Sequence, residues 1–322
     1  MAEQKNRVKI IENKSEIGAG TRGSSLGIQA LKVASFNMKS SYFSRLNSIL
    51  IKDFNHLLFE EVKFPKAIRI EGVIEIFNAV SLEVNNQLVK NNFPIVISGD
   101  HSSAGGTIAG IKMAYPGKRL GVVWIDAHAD LHSPYTTPTG NIHGMSLATA
   151  LNSDNQEHRI QEIDSVTNEM WKKLKEFGNI YPKINARDLV YVALRDTEEP
   201  EDFYISNNEI KNVDVETLRR NGAETVAQDV LEYLKNCDLI YISFDVDSMD
   251  CDLVSYGTGT PVQNGLTEQE ASSLINHLLI DKRTNCFEMV EINPCLDNKQ
   301  NKMAETAFRI LESATSIIEK RG

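Results

Sequence analysis

The feature that most constrains this chain is a series of short apolar runs, each of which stops at a cluster of polar residues. Runs of this kind, rich in β-branched residues, are typical of strands covered on both faces, as in parallel sheets. Patterns with helical periodicity lie between the runs. The five predicted strands cover residues 94–98, 120–125, 188–194, 239–244 and 286–290. The predicted helices cover about 74–91, 104–114, 223–236, 268–281 and 302–319.

Strands that alternate with helices favour right-handed crossovers, which place helices on both sides of a parallel sheet. We therefore predict an α/β fold of three layers, α/β/α, with a mainly parallel sheet. Since no Pro/Gly/Ser-rich linker or internal repeat divides the sequence, we predict one domain, residues 1–322, with the polar stretch 150–187 as an insertion. The run from Thr267 to Glu270 predicts a capping box at a helix start.

Composition narrows the class of protein. Hydrophobic residues make up 41% of the chain and charged residues 24%, as in ordinary globular proteins. The formal net charge of −10 argues against nucleic acid or an anionic membrane as the partner. Because no run reaches the roughly 20 apolar residues of a membrane span and Met1–Asn6 has no signal-peptide core, we expect a cytoplasmic protein. Its four cysteines are scattered, and we interpret them as reduced thiols.

The polar clusters carry side chains that bind metals. In extended geometry residues i, i+2 and i+4 share one face, so Asp126, His128 and Asp130 can converge on one point. Asp245 and Asp247 repeat this pattern after a later strand. Carboxylates and imidazoles without thiolates suit manganese or a neighbouring hard divalent ion better than structural zinc. Because several buried carboxylates repel each other unless cations are present, the sequence predicts a binuclear hydrolytic site.

At these residues the chain resembles the arginase and agmatinase (ureohydrolase) family of binuclear manganese enzymes. The resemblance extends from about Ile17 to the last predicted helix, and its motifs occur in the family's order. The motifs are Gly99-Asp100-His101-Ser102, Asp126-Ala127-His128-Ala129-Asp130 and Ser243-Phe244-Asp245-Val246-Asp247-Ser248-Met249-Asp250. The resemblance implies the family's arginase-like fold, two Mn²⁺ ions, and trimers or hexamers, although Co²⁺ and Fe²⁺ tolerate the same ligands. Asp100 has two interpretations, a helix cap or a partner of His101.

The resemblance also implies roles for individual residues. The implied ligands are His101, Asp126, Asp130 and Asp245 for one ion and Asp126, His128, Asp245 and Asp247 for the other. A hydroxide that bridges the ions would attack the guanidinium carbon, and Asp130 would pass its proton to the leaving amine. Glu291 would accept hydrogen bonds from the guanidinium group, and His143 would act as a proton shuttle.

The loop Thr136–Gly144 looks like the arginase version of this segment and not the agmatinase version. The resemblance then implies that Thr137, Thr139 and Asn141 help to bind the α-carboxylate of the substrate. Glu198 stands where arginases commonly carry an Asp that meets the α-amino group.

Three departures from the family pattern affect details of the site. His132 stands where arginases commonly have Asn, so carboxylate recognition would differ or gain pH dependence. Cys251 replaces the usual Pro, and we interpret its thiol as buried and inert. The segment Cys251–Tyr256 is lengthened, so the loop that supports Asp247 is expected to take a different path.

The function implied is that of an arginase, in which L-arginine and water give L-ornithine and urea. One alternative is an agmatinase or another guanidino or formimino hydrolase of the same family, which would not require the α-carboxylate. Another is a non-catalytic metal-binding subunit, although such a protein would not need His143 and Glu291. A deacetylase of related fold leaves His101, Asp130 and Glu291 unexplained.

Overall fold

The α/β/α architecture predicted from the sequence is confirmed by the computed structural model, which describes residues 7–321. The strands are β1 Val8–Asn13, β2 Ser48–Leu50, β3 Phe93–Ser98, β4 Leu120–Ile125, β5 Leu189–Val192, β6 Lys211–Val213, β7 Leu239–Asp245 and β8 Thr284–Val290. They form one sheet in the order β2-β1-β3-β8-β7-β4-β5-β6. Every neighbouring pair in this sheet is parallel.

Helices precede or follow most strands, as in other α/β proteins. They are α1 Gly27–Asn37, α2 Tyr42–Arg45, α3 Ile70–Val89, α4 Ala104–Ala114, α5 Ser146–Leu151, α6 Ser165–Lys175, α7 Glu199–Asn207, α8 Val215–Asn221, α9 Ala223–Tyr233, α10 Glu268–Ile280 and α11 Lys302–Lys320. The predicted strands and helices are all present, with ends that differ from the prediction by up to four residues. The capping box at Thr267 and Glu270 is confirmed, with hydrogen bonds of 2.8 and 3.2 Å.

The sheet is buried on both faces, which explains why its central strands are apolar throughout. In β4, Val122 and Trp124 pack in the core shared with α3, α4, α5 and α6, whereas Val123 and Ile125 pack in the core shared with α1, α9, α10 and α11. A strand covered on both sides has no polar face, so it consists of consecutive apolar residues.

Three strands, β1, β2 and β6, were not predicted from the sequence. β1 carries Glu12, which is buried and pairs with Lys32 Nζ at 2.7 Å. β2 and β6 are three residues long and lie at the two edges of the sheet. A charged residue inside a strand and very short edge strands both weaken the periodic signal.

The segment 150–187 packs onto the same core as α3. Within it, α6 buries Trp171 and Leu174, and Trp171 Nε1 donates a 2.7 Å hydrogen bond to Asp154 Oδ1. Its status as an insertion stays a prediction, as does the single-domain boundary at 1–322. The residues Met1–Asn6 lie outside the described range. None of the helices within residues 7–321 is both long and apolar enough to cross a membrane.

The register of the sheet brings the polar clusters to one place. Ile125 of β4 pairs with Phe244 of β7, which pairs with Met289 of β8. The next residues of these strands, Asp126 and Asp245, therefore stand side by side at the carboxyl edge. Since β3, β8, β7, β4 and β5 are consecutive in the sheet, the segments that follow all five strands meet there. In open α/β sheets this edge is where ligands bind.

Candidate active site

His101, which follows β3, lies at the centre of the cluster. Its Nδ1 atom lies 3.1 Å from Asp126 Oδ2, 3.1 Å from Asp130 Oδ2 and 3.2 Å from Asp245 Oδ2. The other ring nitrogen, Nε2, is 2.7 Å from Ser243 Oγ. A proton on Nε2 that is donated to Ser243 leaves the lone pair of Nδ1 directed at the three carboxylates. Metal-binding histidines are commonly oriented in this way.

Asp126 joins this group to a second group around His128. Its Oδ2 faces His101, whereas its Oδ1 lies 3.6 Å from His128 Nδ1. The same His128 nitrogen lies 3.0 Å from Asp247 Oδ2. Two sets of potential metal ligands therefore share Asp126. These sets are His101, Asp126 and Asp130, and Asp126, His128 and Asp247.

Asp245 contributes differently from the implied pattern. Its Oδ2 faces His101, but its Oδ1 accepts the backbone N–H of Asp247 at 2.8 Å. Only one oxygen of Asp245 is therefore directed at His101, and bridging by this residue stays a prediction.

The donor set fits a pair of divalent cations. His101 Nδ1, Asp126 Oδ2 and Asp130 Oδ2 are buried, and none of these atoms makes a hydrogen bond with a residue of the range 7–321. Buried polar atoms without partners are costly, so their convergence indicates a site for a cation. The four carboxylates Asp126, Asp130, Asp245 and Asp247 carry four negative charges when ionised, which two divalent ions would balance.

The carboxylates perturb one another strongly. Burial raises the pKa of Asp245 well above its usual range, and the carboxylates of Asp247 and Asp126 raise it further. Burial also acts to raise the pKa of Asp126, but His101 and His128 outweigh it and the pKa is lowered. Divalent cations favour the ionised form of every carboxylate that they contact, so they would remove this conflict.

Asp130 and Glu291, which follow β4 and β8, have backbone conformations that L-residues rarely adopt. The angle φ is 51° at Asp130 and 67° at Glu291. A left-handed backbone at a residue other than glycine costs on the order of 1–2 kcal/mol. Hydrogen bonds on both sides hold Asp130, since its carbonyl accepts Leu147 N–H at 3.0 Å and Leu131 N–H donates to Glu201 Oε1 at 3.1 Å. Strain retained at such a cluster indicates a functional backbone conformation.

Glu291 and His143 form a buried pair beside the carboxylate cluster. Glu291 Oε1 accepts the N–H of His101 at 2.9 Å and lies 3.1 Å from His143 Nδ1. The other oxygen, Oε2, is buried and has no hydrogen-bond partner among the described residues. Burial acts to lower the pKa of His143, but the neighbouring Glu291 outweighs it and raises the pKa to about 9.

A cavity of about 240 Å³ opens above the cluster. The six predicted metal ligands and His143 line it, whereas Glu291, which contacts His143, is not part of its wall. The predicted substrate-binding residues are all in the wall. They are His132, Thr137, Thr139, Asn141 and Glu198.

Two of the three threonines of the loop, Thr137 and Thr139, have hydroxyl hydrogens available for an anion. Thr137 Oγ1 accepts Gly140 N–H at 2.9 Å, and Thr139 Oγ1 accepts Asn141 N–H at 3.2 Å. Because these oxygens act as acceptors toward the backbone, each hydroxyl can still donate its hydrogen into the cavity.

His132 is directed at acidic side chains. Its Nε2 lies 3.5 Å from Glu198 Oε2 and 3.6 Å from Glu201 Oε2, and its Nδ1 is 3.2 Å from Thr136 Oγ1. Burial lowers the pKa of the His132 ring. Burial also raises the pKa of Glu201 to about 7.

Asp100 acts as a helix cap, one of its two interpretations from the sequence. Its carboxylate accepts Ser102 N–H at 2.8 Å and Gly18 N–H at 2.9 Å. The carbonyl of Gly18 in turn accepts His143 N–H at 3.1 Å. Gly18 is tightly enclosed, since a Cβ there would lie 2.5 Å from Ser102 Oγ.

Several residues of the site were missed by sequence reasoning. Ser243 precedes Asp245 by two positions on the same strand, so alternation along β7 could have identified it. Trp124, whose ring stacks on His101 with centroids 4.1 Å apart, could have been found by the same alternation in β4. Glu201, and Asp196 at 3.4 Å from His128 Nε2, have no such signal because their contacts arise only in the folded chain.

The loop that follows the segment Cys251–Tyr256 reaches the site through Thr260. The Thr260 hydroxyl donates a 2.8 Å hydrogen bond to Asp247 Oδ2. Arg195 holds the same region, since its guanidinium group donates to the carbonyls of Asp247 at 2.9 Å and Val262 at 3.0 Å. Cys251 is buried, as predicted, and the inertness of its thiol stays a prediction.

A family model, a sequence relative and solved structures all identify the same family for this chain. The model of the Arginase family matches residues 7–316. Arginase from Bacillus subtilis is 30% identical over 311 residues, covering 95% of this chain and 96% of the relative. The solved structure of Bacillus caldovelox arginase superposes with a TM-score of 0.80 at 29% identity, covering 96% of this chain and 98% of that one. Entamoeba histolytica arginase in complex with L-ornithine superposes with a TM-score of 0.77 at 27% identity, covering 95% and 97%. The chain therefore belongs to the arginase family.

Proposed function

We propose that this chain hydrolyses L-arginine to L-ornithine and urea. The observation that carries the proposal is the pair of histidine and carboxylate groups joined by Asp126, at the base of a cavity whose opposite wall carries hydroxyl and carboxylate groups. The base suits attack on a planar guanidinium carbon, and the wall suits an α-amino acid. Membership of the arginase family supports the same reaction.

The six residues that would hold two divalent cations are His101, Asp126, His128, Asp130, Asp245 and Asp247. Cations bound there would lower the pKa of a water molecule enough to supply the nucleophile near neutral pH. Oxygen and nitrogen ligands without thiolates favour Mn²⁺ among the candidates, with Co²⁺ and Fe²⁺ as alternatives. We propose Mn²⁺ as the working ion.

Glu291 is the group proposed to bind the guanidinium end of the substrate. Its Oε1 is committed to His101 N–H and His143, but Oε2 has no partner within the described chain. A guanidinium N–H donated to this buried oxygen would form a charge-assisted hydrogen bond. Because Glu291 is not among the residues that line the cavity, this contact requires the guanidinium group to reach beyond the present wall.

Asp130 and His143 are the groups proposed to move protons. Asp130 lies in the cavity wall with Oδ2 beside His101 Nδ1, and is placed to accept a proton from the attacking water. The leaving amine must then gain a proton. His143, which is held by Glu291 and lines the cavity, would exchange protons between this base and solvent.

The far wall is proposed to recognise both groups on the α-carbon. The hydroxyl hydrogens of Thr137 and Thr139, with the amide of Asn141, would donate to the α-carboxylate. Glu198 would accept from the α-ammonium group. Recognition of both groups would favour L-arginine over agmatine, which lacks the carboxylate.

Urea release from L-arginine and from agmatine after loading with Mn²⁺, Co²⁺ or Fe²⁺ tests the proposal. We expect L-arginine to give by far the higher kcat/KM. Equal turnover of the two compounds would instead assign the chain to the agmatinase type, and absence of urea from both would refute the proposed reaction.

Two further predictions accompany this proposal, one from the family resemblance and one from the sequence itself. A homo-oligomer, a trimer or a hexamer, is expected and can be tested by light scattering on the purified protein. A cytoplasmic location is the other, and it can be tested by cell fractionation. The partner at the active site is proposed to be a small guanidino compound.

A further inference from the structure

We propose that His132 is a positioning residue for the α-ammonium subsite, where it holds Glu198 and Glu201, and that it does not bind the substrate carboxylate itself. This inference rests on the proposed function, because it concerns how the same cavity selects its substrate.

Both ring nitrogens of His132 are directed at protein groups. The ring is only 8% exposed. Its Nδ1 lies 3.2 Å from the hydroxyl oxygen of Thr136. Its Nε2 lies between two carboxylates, 3.5 Å from Glu198 Oε2 and 3.6 Å from Glu201 Oε2. Nε2 therefore faces the two carboxylates, and no ring nitrogen is directed at another ligand.

The surroundings of Thr136 favour the tautomer of His132 that carries its proton on Nε2. Thr136 Oγ1 accepts the backbone N–H of Ser133 at 2.9 Å, whereas the carbonyl of Ser133 is 3.5 Å away. The hydroxyl hydrogen of Thr136 therefore has its shortest acceptor in His132 Nδ1. A neutral ring that accepts at Nδ1 carries its hydrogen on Nε2, where it faces the two glutamates.

Glu201 is fixed more firmly than Glu198, so the two carboxylates need different support. Glu201 is 4% exposed, and its oxygens accept Leu131 N–H and Glu198 N–H, both at 3.1 Å. The Glu198 side chain is 53% exposed and stands at the start of α7. The N–H edge of His132 between them reduces their repulsion and keeps Glu198 against the cavity wall.

Two carboxylates held side by side suit a substrate ammonium group, which has three hydrogens to donate. The carboxylate of the substrate has other donors in the same wall, the hydroxyl groups of Thr137 and Thr139. The ammonium and carboxylate groups on the α-carbon would thus be recognised by separate sets of side chains, and His132 would belong to the set for the ammonium group.

Three guanidino compounds separate this role from direct carboxylate binding. L-arginine carries both the ammonium and the carboxylate, agmatine carries the ammonium alone, and 5-guanidinopentanoate carries the carboxylate alone. We expect His132→Phe to raise KM for L-arginine and for agmatine by about tenfold, with kcat changed less than about twofold. KM for 5-guanidinopentanoate should stay the same.

Conservative variants and a double-mutant cycle keep this test independent of folding. His132→Gln offers an amide N–H near the position of Nε2 and should restore most of the KM for L-arginine, whereas His132→Asn should not. Glu201→Gln should repeat the amine-selective loss, and its effect should be non-additive with that of His132→Phe because both act on one subsite.

A rise in KM for 5-guanidinopentanoate equal to that for L-arginine would overturn the inference and make His132 a carboxylate ligand. Unchanged KM values in all His132 variants would overturn it as well. If the wild-type protein with metal releases no urea from any of the three compounds, the proposed function itself fails. The two failures are therefore distinguishable.

Discussion

Removal of the hydrogen bond from Thr260 to Asp247 would show how much one supporting contact contributes to metal affinity at the proposed site. Apart from the proposed metal ligand His128, two groups within residues 7–321 donate to Asp247, Thr260 Oγ1 to Oδ2 at 2.8 Å and Ala127 N–H to Oδ1 at 3.3 Å. Thr260→Val conserves volume and removes the shorter of the two. A hydrogen bond to a charged group contributes about 1.5–3 kcal/mol.

That loss would appear in the affinity for the ion held by Asp126, His128 and Asp247. At about 1.4 kcal/mol per factor of ten, we expect Thr260→Val to weaken binding of this ion by about 10–100-fold. Thr260→Ser keeps the hydroxyl and should bind nearly as the wild type does. Calorimetric titration of the metal-free protein with Mn²⁺ measures both variants directly.

Thr258→Val is the matched control in the same loop. Thr258 is buried, but its hydroxyl has no hydrogen-bond partner among residues 7–321. Its removal should leave metal affinity unchanged and the free energy of unfolding equal or slightly higher. If Thr260→Val bound both ions as tightly as Thr258→Val, the supporting role of Thr260 would be refuted.

Three other substitutions test separate parts of the structure. Burial lowers the pKa of Lys183 from 10.5 to about 7. Between these two pH values the unfolded chain therefore binds a proton that the native chain lacks. The free energy of unfolding consequently falls as the pH decreases through this window. In urea denaturation the wild type should therefore gain roughly 2–3 kcal/mol more than Lys183→Met between about pH 7.5 and about pH 9.5, and parallel curves would contradict this. Asp245→Asn removes one of the repelling carboxylates, so it should raise the melting temperature of the metal-free protein while abolishing urea release; a lower melting temperature would contradict the repulsion. Trp171→Phe should lower the free energy of unfolding by about 1–3 kcal/mol because it loses core volume and the bond to Asp154, whereas an unchanged value would mean that segment 150–187 contributes nothing to the main fold.

The strands that could be predicted are those in which every residue, on either face, lies in an apolar environment. β4 and β7 are covered on both faces, so each is an unbroken apolar run that ends at a carboxylate. β1 was missed because Glu12 is stabilised inside it by Lys32 of a different element, and no local pattern encodes that pairing.

The same distinction applies to the site. Asp126, His128 and Asp130 were recognisable because their spacing follows from strand geometry, and the structure brings them together with His101. Thr260 and Glu201 were not recognisable from the sequence, because each reaches the site from a loop or helix whose position depends on the whole fold. The orientation of His132 toward two glutamates likewise follows from tertiary packing and from no motif.

The central claim is that two cations, held through a shared Asp126, are required for hydrolysis of L-arginine. Titration of chelator-treated, metal-free protein with Mn²⁺, with urea release from L-arginine followed at each point, tests it most directly. We predict no activity without metal and full activity only when two ions are bound per chain, with Asp126→Asn inactive throughout. Urea release by the metal-free protein, or by Asp126→Asn at saturating Mn²⁺, would contradict the claim.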